Sequence, residues 1–504
     1  MNDIKAGIEL SDNIHSPLDL TNPLSTTMQR PVVNELLSTA TQPLVRPSAN
    51  AKTILVVGAG VIGLSTAWAL LDRGFKVKIA ALDFPSHDGK RITSLISGAL
   101  WEYPPAVCGH HGGGSANSDD ARRSMISYHF FHNLSQDAVN AKQFGVKMRR
   151  TVFFFKTPVL SDPAQVEKRA NIRVSGVIGF DHPLADETGR NELLREFDVP
   201  MEYVDAYTLS SPVIDTDSAL MSMLKLVRIK GAEIIHLDQP ISFLPLVDGK
   251  PMELDPSQDG KAFADGKDLC VQYNVDAVVN ATGLGSKDSV GDKEVYGLQG
   301  AVIRLENDWK KFHQLQEALV VSATESDPFR ETKFIFIVPR NDNTAILGGF
   351  TKPLLKDEKE EYYEVEHEEI INLRERCNHF MRGAHDLNGI HNGEMNSGYP
   401  LAQGTRPGRA EVCLERNGRL VHNFGCADSL CSLSPSRWCV RTDGHEPDMR
   451  GAAGVCRSGV HWRQSATSRM RVGCRISICA QRAVPSVKEQ NPVEASTTFL
   501  QVSH

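Results

Sequence analysis

Thr53-Ile-Leu-Val-Val-Gly-Ala-Gly-Val-Ile-Gly-Leu64 decides the fold. Ile54 to Val57 form an aliphatic, β-branched run of the kind that builds a parallel strand covered on both faces. Gly58, Gly60 and Gly63 follow at G-x-G-x-x-G spacing, and each has its own task. The first makes a tight turn, the second lets the backbone approach a pyrophosphate, and the third lets a helix pack closely on the strand. A helix beginning near Val61 and Ile62 would aim its free N–H groups and its dipole at the phosphates. The glycine pattern is weak by itself, because glycines recur in ordinary loops, but here its context is present. The helix runs to Arg73 and stops at Gly74, and a second strand spans Lys76 to Ala80. Asp83 stands 20 residues beyond Gly63, where an acid would accept hydrogen bonds from a ribose. The stretch reads as a dinucleotide site, with NAD and FAD both open at this point.

Around that stretch, 504 residues are enough for two domains and tails. The formal net charge of −7 comes without any basic block, which gives no reason to expect nucleic acid or an anionic membrane as partner. No apolar run approaches the roughly 18 residues that span a bilayer. The first 50 residues lack the charged and apolar regions of a signal peptide and read as a disordered leader, so an intracellular location is expected. Four cysteines precede residue 426 (Cys108, Cys270, Cys377, Cys413), spaced as reduced thiols.

Downstream, Arg91 to Pro105 pairs small residues with an apolar Leu100-Trp101, suiting a loop against a planar ligand, and Thr93 and Ser94 offer hydroxyls to phosphate. His110-His111 has no carboxylate or further histidine at ligand spacing, so it reads as part of a glycine-rich loop and no metal is expected. Residues 120–140 read as helix, Val152 to Phe155 as strand, and 160–200 as a helix-prone start of a second domain. Residues 205–237 read as a loop, a helix (Ser218 to Ile229) and a strand (Ala232 to Leu237). A strand from Val271 to Val279 leads into Asn280-Ala-Thr-Gly283, whose backbone amides and Thr282 hydroxyl would border a ligand crevice. Four short runs between Ala301 and Phe350 suggest a mostly antiparallel sheet, and Lys356 to Arg382 a charged helix. Val412 to Val421 reads as a hairpin turning at Asn417-Gly418.

Taken together, Val56 to Thr66, Ser97-Gly-Ala-Leu-Trp101, Asn280-Ala-Thr-Gly283, Leu347-Gly-Gly349 and Gly404-Thr-Arg-Pro-Gly-Arg409 resemble the D-amino-acid oxidase family of FAD-dependent oxidoreductases over about residues 52–425. The resemblance implies FAD rather than NAD, and an α/β fold with a Rossmann-like, parallel-sheet FAD domain and a substrate domain on a mostly antiparallel sheet. The expected FAD domain comprises 51–150, 205–295 and 395–425, and the substrate domain 151–204 and 296–394. It implies that Gly58, Gly60, Val61, Ile62 and Gly63 hold the pyrophosphate, Asp83 or its neighbour Leu82 the ribose, Thr93 and Ser94 the phosphates, and Ile241 the adenine side. Ala99 and Leu100 would lie along the isoalloxazine, and Thr282 beside the flavin.

Arg406 matches the arginine that clamps the substrate carboxylate, a task suited to a planar guanidinium with two parallel donors. The implied reaction is oxidative deamination of a D-amino acid by hydride transfer to flavin N5, with dioxygen as second substrate. Glycine or N-methyl amino acids, and a catalytically impaired flavin fold, stay open as alternatives. The assembly expected, if any, is a homodimer. Relatives are often peroxisomal through a C-terminal tripeptide, but Val502-Ser-His504 is not that signal, so cytoplasm and peroxisome both stay open.

The sequence departs from the family in two places. Where the family has two tyrosines that assist the substrate carboxylate, this chain has Thr332 and Phe336, and a phenyl ring donates no hydrogen bond. After Gly425 the family's glycine turn and flavin-facing helix are replaced by a segment containing Pro435, six of the ten cysteines, nine arginines against one lysine, and no tyrosine. Those cysteines include no Cys-x-x-Cys pair, and residues 426–504 read as a tail outside the family fold, translated out of frame or through a retained intron, or else belonging to a decayed gene.

Overall fold

Strand β1 (Thr53–Val57) alternates its side chains between two cores, Ile54 and Val56 facing one and Leu55 and Val57 the other. Such two-sided burial is what a continuous aliphatic run demands. In the computed structural model the described residues are 37–87, 91–104, 118–244, 246–247, 250–251, 267–307, 315–321, 332–354, 358–381, 401–409 and 413–424. The His110-His111 loop and the tail after Gly425 lie outside them.

After β1 come α1 (Val61–Asp72), β2 (Lys76–Ala81), α2 (Thr93–Ile96), α3 (Ser118–Ser135) and α4 (Ala138–Phe144). The chain continues through β3 (Val146–Phe155), α5 (Pro163–Ser175), α6 (Glu192–Glu196), β4 (Asp205–Ile214), α7 (Thr216–Ile229) and β5 (Glu233–His236). A two-strand ribbon, β6 (Leu246–Val247) and β7 (Lys250–Pro251), precedes α8 (Lys267–Tyr273), β8 (Ala277–Asn280) and α9 (Ser286–Ser289). The last part contains β9 (Tyr296–Glu306), β10 (Ala318–Val321), β11 (Thr332–Pro339), β12 (Thr344–Leu354) and α10 (Glu368–Phe380). It ends with β13 (Leu401–Gly408), β14 (Cys413–Asn417) and β15 (Leu420–Phe424).

Among the described residues two large sheets form. The first, in order β14-β15-β8-β1-β2-β5, is parallel except for the β14–β15 hairpin. The second, β13-β9-β12-β11-β10-β3-β4, is antiparallel except between β10 and β3. The expected α/β class and its pairing of a parallel with a mostly antiparallel sheet are therefore observed.

Several boundaries differ from expectation, each for a physical reason. Residues 205–214, expected as a loop of the nucleotide domain, form β4 and pair along ten residues with β3 in the second sheet. Ala206 is buried on one face of the sheet and Leu209 and Val213 on the other, and this two-sided burial outweighs the local serines and proline. Residues 401–408, also expected in the nucleotide domain, form the edge strand β13 of the second sheet. The expected strand at Val271 is instead the end of α8, with Val271 82% exposed, and the strand proper begins at Ala277. The charged helix is shorter than expected, α10 starting at Glu368 behind a His367 side-chain cap.

Residues 37–50 correct the expected disordered leader, because they pack on the nucleotide domain. Leu37, Ser38 and Thr39 are buried, and the Trp68 indole donates to the Ser38 carbonyl at 3.0 Å. Asp72, at the end of α1, accepts from the Ser38 amide at 2.8 Å and the Leu44 amide at 3.1 Å, and pairs with Lys230, both side chains being fully buried. Removing one partner of a buried pair leaves an uncompensated charge. Lys230→Met is therefore expected to destabilise the fold by about 3–5 kcal/mol in urea titrations. A loss below about 1 kcal/mol would mean that water reaches Asp72.

Candidate functional site

The carboxyl end of β1 meets the ends of β2 and β8. Gly58 donates to the Ala80 carbonyl at 2.8 Å, and Ala281 donates to the Val57 carbonyl at 2.9 Å. Gly58 has φ +111°, and a Cβ there would run into the Ala281 carbonyl. A Cβ at Gly63 would overlap the Gly58 carbonyl oxygen, so α1 can approach β1 this closely only without a side chain. At Gly60 the nearest atom to such a Cβ is Ser94 Oγ, 3.1 Å away.

Helix α1 starts without a side-chain cap and without an acidic residue in its first turn. The Val61 amide donates to Ser94 Oγ at 3.1 Å, while the Ile62 and Gly63 amides find no acceptor among the described residues. Orphan amides at a helix start, with no competing carboxylate, make an anion site. A pyrophosphate-bearing cofactor thus fits here: Gly58 to Gly63 form a cradle that a Cβ would fill.

The remaining candidates have different engagements. Asp83 lies partly buried just past β2, and Leu82 beside it is exposed. Ile241 packs against the core that contains Leu55, Val57 and Phe243. Thr93, the first residue of α2, donates to the Thr405 carbonyl at 3.2 Å, tying the nucleotide domain to β13. Thr282 donates its hydroxyl to Asn280 Oδ1 at 2.8 Å and lies 2.9 Å from Ser286 Oγ, so this hydroxyl serves the turn itself.

On the substrate side, strand registers decide which residues share a face. Ile303 pairs with Leu347 and Leu347 with Ile337, all pointing into the core beside α10. Their neighbours in each strand therefore face the other way. That opposite face carries Phe336, Gly348, Gly300, Leu298 and, through the Leu298–Arg406 register, Arg406. Residues Ser97 to Leu100 lie against this same face. A Cβ at Gly98 would sit 2.5 Å from Phe336 Cε2, and Leu100 packs on the cluster of Val213, Val338 and Ile346. Ala99 has φ +53° and is clamped by the Ile214 amide, which donates to its carbonyl at 3.0 Å. The structure therefore brings the strip Gly98-Ala99-Leu100, Phe336 and Arg406 onto one face, with the phosphate cradle linked to it through α2.

Two residues at this face escaped the sequence reading. Tyr296 lies on the Arg406 side of β9, its ring over Gly408. Burial raises its phenol pKa and the Arg406 charge opposes that shift. Its position two residues before Leu298 in an alternating strand was the available signal. Arg340, directly after β11, is 2% exposed and donates to the Ser97 carbonyl. A charged residue closing an apolar strand ordinarily reads as a solvated turn, and nothing local marks it as buried.

A glycine cradle at a helix start, tied through α2 to a second sheet whose face carries Arg406, is the arrangement of a dinucleotide-binding protein of α/β type. The comparisons agree. Residues 53–435 match the family model described as FAD dependent oxidoreductase (DAO), and the chain belongs to that family, with FAD as its cofactor. The D-amino-acid oxidase of Rubrobacter xylanophilus is 25% identical over 388 residues, covering 75% of this chain and 91% of the relative. The D-amino-acid oxidase of Dictyostelium discoideum is 25% identical over 405 residues, covering 76% and 88%. Among solved structures, glycine oxidase from Geobacillus kaustophilus matches with a TM-score of 0.52 at 16% identity, over 77% of this chain and 93% of its own. The L-α-glycerophosphate oxidase of Mycoplasma pneumoniae, solved with FAD bound, also gives 0.52, at 15% identity over 77% and 93%. At such identities the structural matches speak for the fold.

Proposed function

We propose that the chain is a FAD-dependent oxidase of small D-amino acids, yielding the 2-oxo acid, ammonia and hydrogen peroxide. The observation that carries this reading is the placement of Arg406 on the same sheet face as Phe336 and the Ser97–Leu100 strip. FAD, when bound, supplies the hydride acceptor and the centre at which dioxygen is reduced. Gly58, Gly60, Val61, Ile62 and Gly63 would hold its pyrophosphate and Ser94 would add a hydroxyl, while Ala99 and Leu100 would border its ring system.

Arg406 binds the substrate carboxylate through the planar fork of its guanidinium. With the carboxylate fixed, the α-hydrogen is oriented by the walls of the site, Phe336 among them, and orientation rather than a general base does most of the work. Phe336 and Leu100, the apolar side chains on the Arg406 face, support a small apolar substrate. The names of the curated relatives support the D configuration, whereas glycine or an N-methyl amino acid is the rival within the class.

Phe336 stands where the family has a tyrosine, so the missing phenol is a directly testable departure. Phe336→Tyr is expected to lower KM for the preferred D-amino acid about 3- to 10-fold, the worth of one added hydrogen bond to a charged group in a half-open site, with kcat changed less than about twofold. An unchanged KM would place the carboxylate away from this ring. The proposal as a whole is tested by a peroxide-release screen across D-, L- and N-methyl amino acids. Turnover of N-methyl glycine in preference to every D-amino acid would shift the reading to the rival.

A further inference from the structure

The Arg340 guanidinium is an unusual group to find behind an oxidase site. It is buried, its Nη2 donates to the Ser97 carbonyl, and its Nε and Nη1 have no hydrogen-bond partner among the described residues. Asp215 and Asp217 attract it, and Arg304 and Arg91 oppose it. Arg91 is itself paired with Asp217, and Asn341 donates to Asp215 at 3.1 Å. Burial pushes the Arg340 pKa down to about 10, so the group still carries its charge at neutral pH.

What the charge acts on follows from peptide geometry. Ser97 C=O and Gly98 N–H belong to one peptide unit, and in a trans peptide they point in opposite directions. A cation on the Ser97 oxygen therefore fixes the Gly98 amide to point away from Arg340, and polarises it into a stronger donor. Among the described residues neither the Gly98 nor the Ala99 amide has an acceptor. Ala99, next in line, is held at φ +53°, a left-handed conformation that a non-glycine residue retains only where its surroundings enforce it. A strained strip with unsatisfied amides, backed by a buried cation, is built to meet an acceptor.

We propose that Arg340 is a positioning residue for the flavin, acting through the Ser97–Gly98 peptide to present a strong amide donor to the ring and to favour its electron-rich reduced state. The proposal rests on the functional reading above, in which this strip borders the ring system.

The test uses the FAD-loaded full chain and reads the flavin midpoint potential and visible spectrum as well as turnover. Arg340→Gln keeps a donor for Ser97 but loses the charge; it is expected to bind FAD with a more negative midpoint potential and at least tenfold slower flavin reduction by substrate. Arg340→Lys restores the charge and is expected to return the potential most of the way to wild type. Asp215→Asn leaves Arg340 in place and removes an opposing charge, so its potential should move in the positive direction, and it serves alone if Arg340→Gln does not fold. Potentials and spectra matching wild type in whichever of these variants fold would overturn the role of Arg340. A wild-type chain that binds no FAD would instead sink the functional reading itself, so the two failures are distinguishable.

Discussion

Arg406→Leu is expected to lower kcat/KM for the preferred D-amino acid by roughly 10³-fold while leaving FAD content unchanged. A guanidinium that meets a carboxylate with two parallel charge-assisted bonds contributes about 1.5–3 kcal/mol per bond, and about 4 kcal/mol corresponds to a thousandfold. The residue sits in β13, paired with Leu298 of β9, so its backbone is fixed by the sheet and only its side chain is lost. Because the same clamp serves ground state and transition state, KM should rise first, with kcat falling to the extent that orientation is lost. Arg406→Lys keeps the charge but not the fork, and about a tenfold deficit should persist. Kinetics on D-, L- and decarboxylated substrates check this: an amine without a carboxylate should be handled equally by wild type and Arg406→Leu. If Arg406→Leu retains wild-type kcat/KM, the carboxylate is bound elsewhere.

The second large effect is expected at the cofactor. Gly63→Val places a branched Cβ where the Gly58 carbonyl already lies, so α1 must move off β1. The Gly58 to Gly63 cradle is formed by that contact, and the orphan amides of α1 would no longer converge on a phosphate. The purified Gly63→Val protein should be colourless, with FAD affinity weakened at least about 100-fold, or about 3 kcal/mol. The fold as a whole should survive with a penalty of about 1–3 kcal/mol, the usual cost of overpacking. Flavin absorbance after desalting and a thermal melt separate the two effects. A yellow Gly63→Val protein with full flavin content would show that the turn has room that the geometry denies.

How far the sequence could be read depended on whether a signal was local. The strand, glycine turn, helix and second strand from Thr53 to Ala81 were legible because periodicity, glycine spacing and helix termination all agree within thirty residues. Asn280-Ala-Thr-Gly283 was legible for the same reason, although its threonine serves the turn rather than pointing outward. The strand at 205–214 was hidden, because Ser210, Ser211 and Pro212 look like a turn until β3 pairs with them. The packing of residues 37–45 was hidden too, since what holds them is Asp72, far along the chain and an ordinary helical acid when read alone.

At the site, Arg406 and Phe336 were reachable through a family motif, but their common face is a property of register across four strands. Arg340 and Tyr296 were missed because burial and neighbouring charge, not residue type, give them their roles. Substrate chemistry is the least local property of all, since it depends on how side chains from both sheets close around a small molecule.

A chain that works as proposed holds FAD and passes substrate electrons to it. Its most direct test is to add D-alanine anaerobically to the purified full-length protein and record the visible spectrum. The expected result is a protein-bound flavin spectrum that bleaches on adding D-alanine, stays unchanged with L-alanine, and returns on admitting air with release of hydrogen peroxide. A colourless protein, or a bound flavin that neither D-alanine nor any other D-amino acid bleaches, would contradict it.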